Sequence, residues 1–273
     1  MLLKEIRLGK WKVGENNPLL VIAGPCVIED ESTTVAIARE LKEIQQRLNI
    51  PLVFKASYDK ANRTSITSYR GPGLDAGLDL LDFIRARFEL PVLSDVHQVS
   101  EIEKAAQVLD VIQIPAFLCR QTDLLVAAGR TGRPVNVKKA PFLSPWDMQF
   151  VVGKIAETGN DQILVTERGS TFGYNNLVVD MRSLPILSSL GYPVIFDATH
   201  SVQLPGGGQG VSGGERKFVP FLARAAVAAG VQGVFLEVHL DPEKALCDGA
   251  NSWPLDQLEA LLRNLMAIHE IVR

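Results

Sequence analysis

The chain of 273 residues is poor in cysteine and has no large excess of one charge. Its three cysteines, Cys26, Cys119 and Cys247, lie far apart and form no C-x-x-C motif. Their odd number and spacing argue against a disulfide framework and favour a reducing cytoplasm. A net charge of -3 excludes a surface built as a whole for nucleic acid or acidic lipid, because such surfaces need excess lysine and arginine. Any basic site must be local.

Long hydrophobic runs are also missing. Residues 1–13 have no apolar core of signal-peptide length, and the apolar uncharged run 225–236 is too short to span a bilayer. The chain lacks a G-x-x-x-x-G-K-[ST] motif, and no G-x-G-x-x-G opens a helix after a strand. We therefore expect a cytoplasmic protein with no membrane segment and no nucleic-acid partner, and nucleotide binding is weakly supported.

Short apolar runs alternate with longer segments of helical period along nearly the whole chain, which is the pattern of βα units. Eight strands are predicted, at residues 19–23, 52–55, 91–94, 111–114, 135–138, 162–166, 193–196 and 233–237. The predicted helices cover residues 32–48, 74–88, 100–108, 121–129, 144–158, 179–190, 214–229 and 254–272. This order predicts one α/β domain over residues 1–273, a single (β/α)8 TIM barrel. A doubly wound open sheet is the alternative.

The ends of the predicted barrel differ in character. Residues 1–14 are predicted to form a β-hairpin that turns at Gly9 and closes the bottom. At the other end every predicted strand is followed by a polar or ligating side chain, whereas lower loops such as "LNIP" and "FELP" are ordinary. Because barrel enzymes carry their active sites at the carboxyl ends of the strands, this pattern favours a catalytic rim.

Five cations converge on that rim: Lys55, Lys60, Arg63, Lys138 and Arg168. In an acidic protein such a group indicates a strongly anionic small molecule, because arginine binds carboxylate or phosphate through two hydrogen bonds and lysine acts as a point charge. This predicts phosphorylated substrates. For any one lysine, pairing with a nearby carboxylate to stabilise the rim is an equally good interpretation.

Four residues of metal-ligand type share the rim: Cys26, His200, Glu237 and Asp248. Thiolate, imidazole and two carboxylates suit a first-row divalent ion such as Zn, Fe(II), Mn or Co. These residues lie far apart in sequence, so only the barrel would bring them together. If the chain were not a barrel, Cys26 would more simply be a buried small residue. Cys247, next to Asp248, is an alternative thiol ligand to Cys26. Residues 203–215, "QLPGGGQGVSGGE", contain six glycines and suit a lid over the substrate, with a surface loop as the alternative.

Several longer motifs run from the first strand to the last helix: "FKASYDKANRTS", "SYRGPGL", "DVIQIPAFLCRQTDL", "VNVKK", "ERGSTFGYNNLVVDM", "FDATHSVQLPGG" and "DPEKALCDG". In them the chain resembles the 3-deoxy-D-manno-octulosonate 8-phosphate (KDO 8-phosphate) synthase family. The resemblance implies a cytoplasmic homotetrameric barrel enzyme of lipopolysaccharide biosynthesis. Such enzymes condense phosphoenolpyruvate with D-arabinose 5-phosphate and water, releasing inorganic phosphate. The related synthase of the shikimate pathway uses erythrose 4-phosphate and usually has "KPRTS" where this chain has "KANRTS".

The resemblance also implies roles for residues. The catalytic and phosphoenolpyruvate-binding group would be Lys55, Lys60, Gln113, Lys138 and Arg168. The sugar-phosphate group would be Asn62, Arg63, Thr64, Ser65, Asp95 and Phe117, with the Arg63 segment reaching an adjacent subunit's site. The metal group would be Cys26, His200, Glu237 and Asp248.

The family has metal-requiring and metal-independent forms, with cysteine and asparagine, respectively, at the position of Cys26. This chain therefore resembles the metal-requiring form. Two departures stand out: "CDG" at 247–249 is more like the metal-independent form, and Pro141 stands where a glutamine is usual.

Two other functions remain open on the residues alone. A Schiff-base aldolase could use Lys55 or Lys138, although it would leave the four metal-ligand residues without a joint role. A sugar-phosphate-binding barrel without catalysis would need only the cations.

Overall fold

Eight parallel strands form a closed barrel in the computed structural model, which describes residues 3–208 and 211–273. The strands pair in chain order, and the last one pairs with both the seventh and the first. The (β/α)8 prediction is confirmed, and the open-sheet alternative is wrong. The strands are β1 (Leu20–Gly24), β2 (Leu52–Lys55), β3 (Val92–Asp95), β4 (Val111–Ile114), β5 (Val135–Lys138), β6 (Ile163–Glu167), β7 (Val194–Asp197) and β8 (Gly233–His239).

Helices follow the strands around the outside of the barrel. The first has a capping contact, because the carboxylate of Asp30 accepts a hydrogen bond of 2.8 Å from the amide of Thr33. No helix in the described part of the chain is long and apolar enough to cross a membrane. The helices are α1 (Glu31–Leu48), α2 (Leu74–Phe88), α3 (Val99–Val108), α4 (Thr122–Arg130), α5 (Met148–Ala156), α6 (Ser183–Ser188), α7 (Val219–Ala228) and α8 (Leu258–Val272).

Four helices, α5 to α8, are shorter than the sequence predicts, and α8 begins at Leu258 after the short 3-10 turn Leu255–Gln257. Before α5 the chain makes turns instead, with the amide of Asp147 donating to the carbonyl of Ser144. Before α6, Leu177–Val178 pairs with Ser170–Thr171 as a small antiparallel hairpin. Before α7, Val211–Gly214 belongs to a hairpin with Gln203–Gly208. These segments lie in the loops after β5, β6 and β7, at the carboxyl ends of the strands, and the helices begin only after them.

The predicted N-terminal hairpin is present as Ile6–Leu8 and Trp11–Val13. Its apolar side chains join a buried cluster with inward-facing residues of the strands, including Leu20 and Phe235. The other face of the strands packs against the helices in a second, larger cluster. The hairpin therefore closes the bottom of the barrel and leaves the opposite end open.

Residues 203–215, the predicted glycine lid, form the hairpin Gln203–Gly208 and Val211–Gly214, while residues 209 and 210 lie outside the described part. Closure of this segment stays a prediction. Nearby, Trp253–Pro254 pairs with the extended end of β8. Gly24 ends β1, where a Cβ atom would lie 1.9 Å from the carbonyl oxygen of Lys55. Only glycine permits this close approach of β1 to β2.

Candidate active site

A cavity of about 710 Å³ opens at the carboxyl ends of the strands. Its wall includes every residue of the predicted site except Cys26 and Ser65. Cys26 is buried beside the cavity, with its Sγ 3.5 Å from Oδ2 of Asp248. Ser65 instead contacts its own loop, with its Oγ 2.9 Å from the hydroxyl of Thr67. The barrel thus brings together residues that lie far apart in sequence.

Of the four predicted metal ligands, His200, Glu237 and Asp248 form one group at one side of the cavity, while Cys26 joins Asp248 in a second group with Cys247. Nε2 of His200 lies 3.6 Å from Oε1 of Glu237 and 3.5 Å from Oδ2 of Asp248. The second carboxylate oxygen of Glu237, Oε2, is buried and has no hydrogen-bond partner among the described residues. A buried carboxylate oxygen without a partner is costly unless something binds it. The set of nitrogen, oxygen and sulfur donors therefore fits a divalent metal ion.

Asp197 orients this cluster, although the sequence did not assign it to the site. Its Oδ2 lies 2.8 Å from Nδ1 of His200 and accepts a hydrogen bond of 2.7 Å from Nζ of Lys138. Burial works to raise the pKa of Asp197, but His200 and Lys138 outweigh it and hold the pKa far below its usual value. The carboxylate therefore stays ionised and fixes the imidazole so that Nε2 faces Glu237 and Asp248.

The pKa of His200 also departs from its ordinary value. Burial works to lower it, but the carboxylates of Asp197 and Glu237 outweigh burial and raise it. The imidazole thus holds a proton more readily than an exposed histidine does. A metal ion at Nε2 would compete with that proton.

The thiol groups of Cys26 and Cys247 lie side by side, close enough to form a disulfide, with their Cα atoms 5.9 Å apart although the residues are 221 positions apart in sequence. The sequence argued against a disulfide framework and did not indicate this contact. The loop after β1 and the loop after β8 become neighbours only when the barrel closes, so the spacing in sequence did not indicate the contact. Because the thiolate is the metal-binding form of cysteine, Cys26 can act as a ligand only when the pair is reduced.

Lys55 lies at the bottom of the cavity, fully buried. Its Nζ donates hydrogen bonds to Oε1 of Glu237 at 2.8 Å and to the carbonyl of Cys26 at 2.7 Å. Burial works to lower the pKa of Lys55, but the carboxylates of Glu237, Asp95 and Asp197 outweigh it and raise the pKa. Lys55 is therefore a permanent cation that supports the metal-ligand cluster from behind.

Two other lysines line the cavity closer to its opening. Burial, reinforced by the neighbouring charge of Lys55, lowers the pKa of Lys60 to about 8. Burial also lowers the pKa of Lys138, although Asp197 opposes this. Nζ of Lys138 lies 3.5 Å from the ring centroid of Phe235, a cation–π contact that holds it in place. These desolvated ammonium groups favour an anion that would offset their burial.

Arg168 is connected to the metal-ligand cluster through Gln203, another residue that the sequence did not assign. The guanidinium of Arg168 donates to Oε1 of Gln203 at 2.8 Å, and Nε2 of Gln203 donates to Oδ1 of Asp248 at 3.2 Å. The backbone of Arg168 is fixed as well, because its amide donates to the carboxylate of Glu167 at 2.9 Å. Arg168 and the candidate metal-ligand cluster are thus parts of one hydrogen-bonded unit.

A buried polar chain lines the side of the cavity formed by β3 to β5. Asp95 accepts hydrogen bonds from the hydroxyl of Ser57 and from the amide of Gln113. Gln113 in turn accepts from Asn136 at 2.8 Å. Burial works to raise the pKa of Asp95, but Lys60 and Lys55 outweigh it and lower the pKa. Asp95 is therefore an ionised acceptor with a fixed orientation, suited to hydroxyl groups of a substrate.

The "KANRTS" loop lies at the mouth of the cavity. Nε of Arg63 donates to the carbonyl of Tyr69 at 2.8 Å, and its terminal nitrogen donates to the carbonyl of Leu246 at 3.1 Å. Asn62 and Thr64 are exposed beside it, and Phe117 is 53% exposed on the opposite wall. Pro141 also lines the cavity. It adds no side-chain donor there.

Comparison with known proteins agrees with this geometry. The sequence model of the DAHP synthetase I family matches residues 4–273. A 2-dehydro-3-deoxyphosphooctonate aldolase of Geobacter metallireducens is 62% identical over 270 residues, which cover 99% of each chain. Proteins of the same name from Geotalea daltonii and Syntrophotalea carbinolica are 61% identical over 272 residues and 63% identical over 260 residues. These matches cover 100% of both chains for the former, and 95% of this chain and 94% of the relative for the latter.

Proposed function

This chain belongs to the DAHP synthetase I family, and we propose that it condenses phosphoenolpyruvate with D-arabinose 5-phosphate and water. The products are 3-deoxy-D-manno-octulosonate 8-phosphate and inorganic phosphate, in KDO biosynthesis for lipopolysaccharide. The name shared by its full-length relatives supports this reaction. The observation that carries the proposal is the joining of anion-binding cations and a metal-ligand cluster in one cavity, through Gln203.

The charges of the cavity match those of the two substrates. Lys60, Lys138 and Arg168 would bind the carboxylate and phosphate of phosphoenolpyruvate, with Gln113 beside them. Arg63, with Asn62, would bind the sugar phosphate at the mouth, while Asp95 would accept hydrogen bonds from sugar hydroxyls. Fixing both anions in this way replaces much of the entropy cost of a three-component encounter.

The reaction needs one bond to form at each of two carbons. C3 of the enol attacks the aldehyde carbon of the sugar, and water adds at C2, where positive charge develops beside the substrate's own carboxylate. The aldehyde oxygen takes up a proton, and the C2 hemiketal phosphate then loses inorganic phosphate by C–O cleavage as its hydroxyl loses a proton. Lys60, whose pKa is lowered to about 8, is the cation best matched to transferring a proton near neutral pH.

The metal requirement is part of the proposal. Cys26, His200, Glu237 and Asp248 would hold a divalent ion such as Zn, Fe(II), Mn or Co, and the buried free oxygen of Glu237 supports this set. When bound, the ion supplies positive charge that polarises a substrate carbonyl or a water molecule. Lys55 and Asp197 would keep Glu237 and His200 in the ligating orientation.

The choice of sugar gives the test of this function. The "KANRTS" loop places Asn62 next to Arg63 at the mouth, where a five-carbon sugar has hydroxyls to offer it. We expect phosphate release from phosphoenolpyruvate to be far faster with arabinose 5-phosphate than with erythrose 4-phosphate. Preference for the four-carbon sugar would instead assign the chain to the shikimate-pathway reaction. If neither sugar led to phosphate release, the chain would be a sugar-phosphate-binding barrel without catalysis.

A Schiff-base aldolase is the second candidate among the hypotheses from sequence, and the structure disfavours it. Lys55 has a raised pKa and is paired with Glu237 at 2.8 Å, and Lys138 is paired with Asp197 at 2.7 Å. A nucleophilic lysine must lose its proton, which the raised pKa of Lys55 opposes. The pKa of Lys138 is lowered, but its ammonium donates to Asp197 and is directed away from a substrate carbonyl. Borohydride should therefore trap no substrate on either lysine.

The proposal includes a cytoplasmic homotetramer. Phe142, Trp146 and Phe150 are each at least 60% exposed beside the mouth of the barrel, on and just before α5. Three exposed aromatic side chains within residues 142–150 are typical of a subunit interface. Sedimentation equilibrium would measure the assembly directly.

A further inference from the structure

We propose that Glu29 is a positioning residue for Asp248, acting through the backbone of Leu246. The inference rests on the proposed function, because it concerns the loop that brings Asp248 to the metal-ligand cluster. Glu29 follows β1 and lies outside the wall of the cavity, and its side chain is only 11% exposed. A nearly buried carboxylate at this place needs partners, and its partners belong to the Asp248 loop.

The contacts of Glu29 are with the loop after β8. Its Oε1 accepts a hydrogen bond of 2.7 Å from the amide of Leu246, two residues before Asp248. Its Oε2 lies 3.5 Å from Nε2 of His239, whose side chain is 8% exposed. The backbone of Glu29 is itself anchored, because its carbonyl accepts a hydrogen bond of 2.9 Å from the hydroxyl of Tyr69. Glu29 therefore connects the loop to β1 and to the end of β8.

Leu246 is held from its other side by Arg63. The guanidinium of Arg63 donates to the carbonyl of Leu246 at 3.1 Å, so both backbone polar groups of this residue have a side-chain partner. The side chain of Leu246 is 51% exposed and contributes little anchoring of its own. The position of this part of the loop thus depends on two side-chain hydrogen bonds, one from each neighbouring βα loop.

Asp248 needs such support because of its backbone conformation. Its φ of +49° is in the left-handed region, which residues other than glycine adopt with difficulty. On its far side the carbonyl of Asp248 accepts hydrogen bonds from Asn251 and Ser252. On the N-terminal side of Asp248, the loop is held by the two hydrogen bonds to the backbone of Leu246. Loss of the Glu29 contact would let this N-terminal side move and would displace the Asp248 carboxylate from His200 and Cys26.

The same arrangement links the metal side to the sugar-phosphate side. A guanidinium has five N–H groups, and Arg63 uses one for Tyr69 and one for Leu246. Three remain for a phosphate. The guanidinium of Arg63 would therefore contact both the bound phosphate and the loop that carries Asp248.

Zinc affinity tests the proposal without relying on activity. The reduced protein is titrated with Zn²⁺ against a competing chelator, using Glu29→Ala, Glu29→Gln and the control Glu31→Ala, an exposed acid at the start of α1. Glu29→Ala should weaken zinc binding by about 10-fold or more, as expected when a residue that orients a ligand is lost. Glu29→Gln should stay within about 3-fold of wild type, because its amide oxygen still accepts from Leu246. Glu31→Ala should bind as wild type does.

Two results would overturn the proposal: wild-type zinc affinity in Glu29→Ala, or equal losses in the alanine and glutamine variants, which would indicate charge alone. Amide hydrogen exchange of residues 240–252 distinguishes a wrong role for Glu29 from a wrong metal assignment. Exchange should be faster in Glu29→Ala and unchanged in Glu29→Gln, whether or not zinc binds. If wild type binds no zinc, the metal assignment fails, and unchanged exchange in Glu29→Ala would refute the role of Glu29. Glu29→Asp, with a shorter reach, replaces the alanine variant if that one does not fold.

Discussion

The ammonium of Lys55 lies 2.8 Å from the carboxylate of Glu237, and neither side chain is more than 2% exposed. The two residues project into the barrel from β2 and β8, the strands on either side of β1. Each charge compensates the other in surroundings that exclude water. The pair thus sets the charge and orientation of a carboxylate whose Oε1 also lies 3.6 Å from Nε2 of His200.

Lys55→Met should destabilise the protein, because it leaves the Glu237 carboxylate buried without its partner. Removing one member of a buried ion pair typically costs about 3–5 kcal/mol. We expect a loss of that size in the free energy of unfolding measured by urea denaturation. The double variant Lys55→Met/Glu237→Gln should recover part of the loss. A single variant as stable as wild type would show that Glu237 does not depend on Lys55.

Phosphoenolpyruvate use should fall as the pH rises through about 8. The pKa of Lys60 is lowered to about 8, so its ammonium is present below that pH and is lost above it. The loss removes a positive charge from the free enzyme, and kcat/KM for phosphoenolpyruvate should decline with an apparent pKa near 8. The pH dependence of kcat/KM measures this directly.

Lys60→Arg is the matched variant for that profile. Arginine stays charged throughout the accessible pH range. Whatever activity this variant retains should lose the decline near pH 8. A decline that persists unchanged would assign the titration to another group.

Arg63→Ala should impair use of the sugar phosphate far more than use of phosphoenolpyruvate. Arg63 lies at the mouth of the cavity, whereas Lys60, Lys138 and Arg168 remain in place for phosphoenolpyruvate. We expect KM for arabinose 5-phosphate to rise at least about 10-fold, as for the loss of a charged hydrogen-bonding partner. Arg70→Ala, which removes an exposed arginine paired with Asp59, is the control. Equal increases in both KM values would contradict the role of Arg63.

Cys26→Asn should abolish tight metal binding, because it removes the thiolate from the cluster. Cys247→Ser should instead keep metal binding and make it independent of added reductant, since Cys26 then has no disulfide partner. Metal content after dialysis, measured by atomic emission with and without reductant, tests both. Unchanged metal content in Cys26→Asn would exclude Cys26 as a ligand.

The strands were predictable because their apolar runs are short and bounded by turns. Leu52–Lys55, Val111–Ile114 and Val135–Lys138 have the predicted limits. The starts of the helices near the open end of the barrel were less predictable: the helix predicted over 214–229 begins only at Val219, and Gly214 pairs with Gln203 instead. Local periodicity does not encode such pairings between loops.

The placement of side chains in the cavity was predictable for residues of metal-ligand type at strand ends, such as His200 and Glu237. It was not predictable where a role depends on a distant partner. Asp197 stood visibly at the end of a strand, but its role follows from contact with Lys138, 59 residues away. Gln203 lay in the glycine-rich segment, and nothing local indicated its contacts with Arg168 and Asp248. The Cys26–Cys247 pairing requires the closed barrel.

The most direct test of the account measures phosphate release from phosphoenolpyruvate and arabinose 5-phosphate by the reduced enzyme before chelation, after verified metal removal, and after adding back Zn²⁺ or Mn²⁺. The account predicts release that is lost on removal and restored by a divalent ion. Full activity in the metal-free enzyme would contradict the assignment of Cys26, His200, Glu237 and Asp248 as an essential metal site.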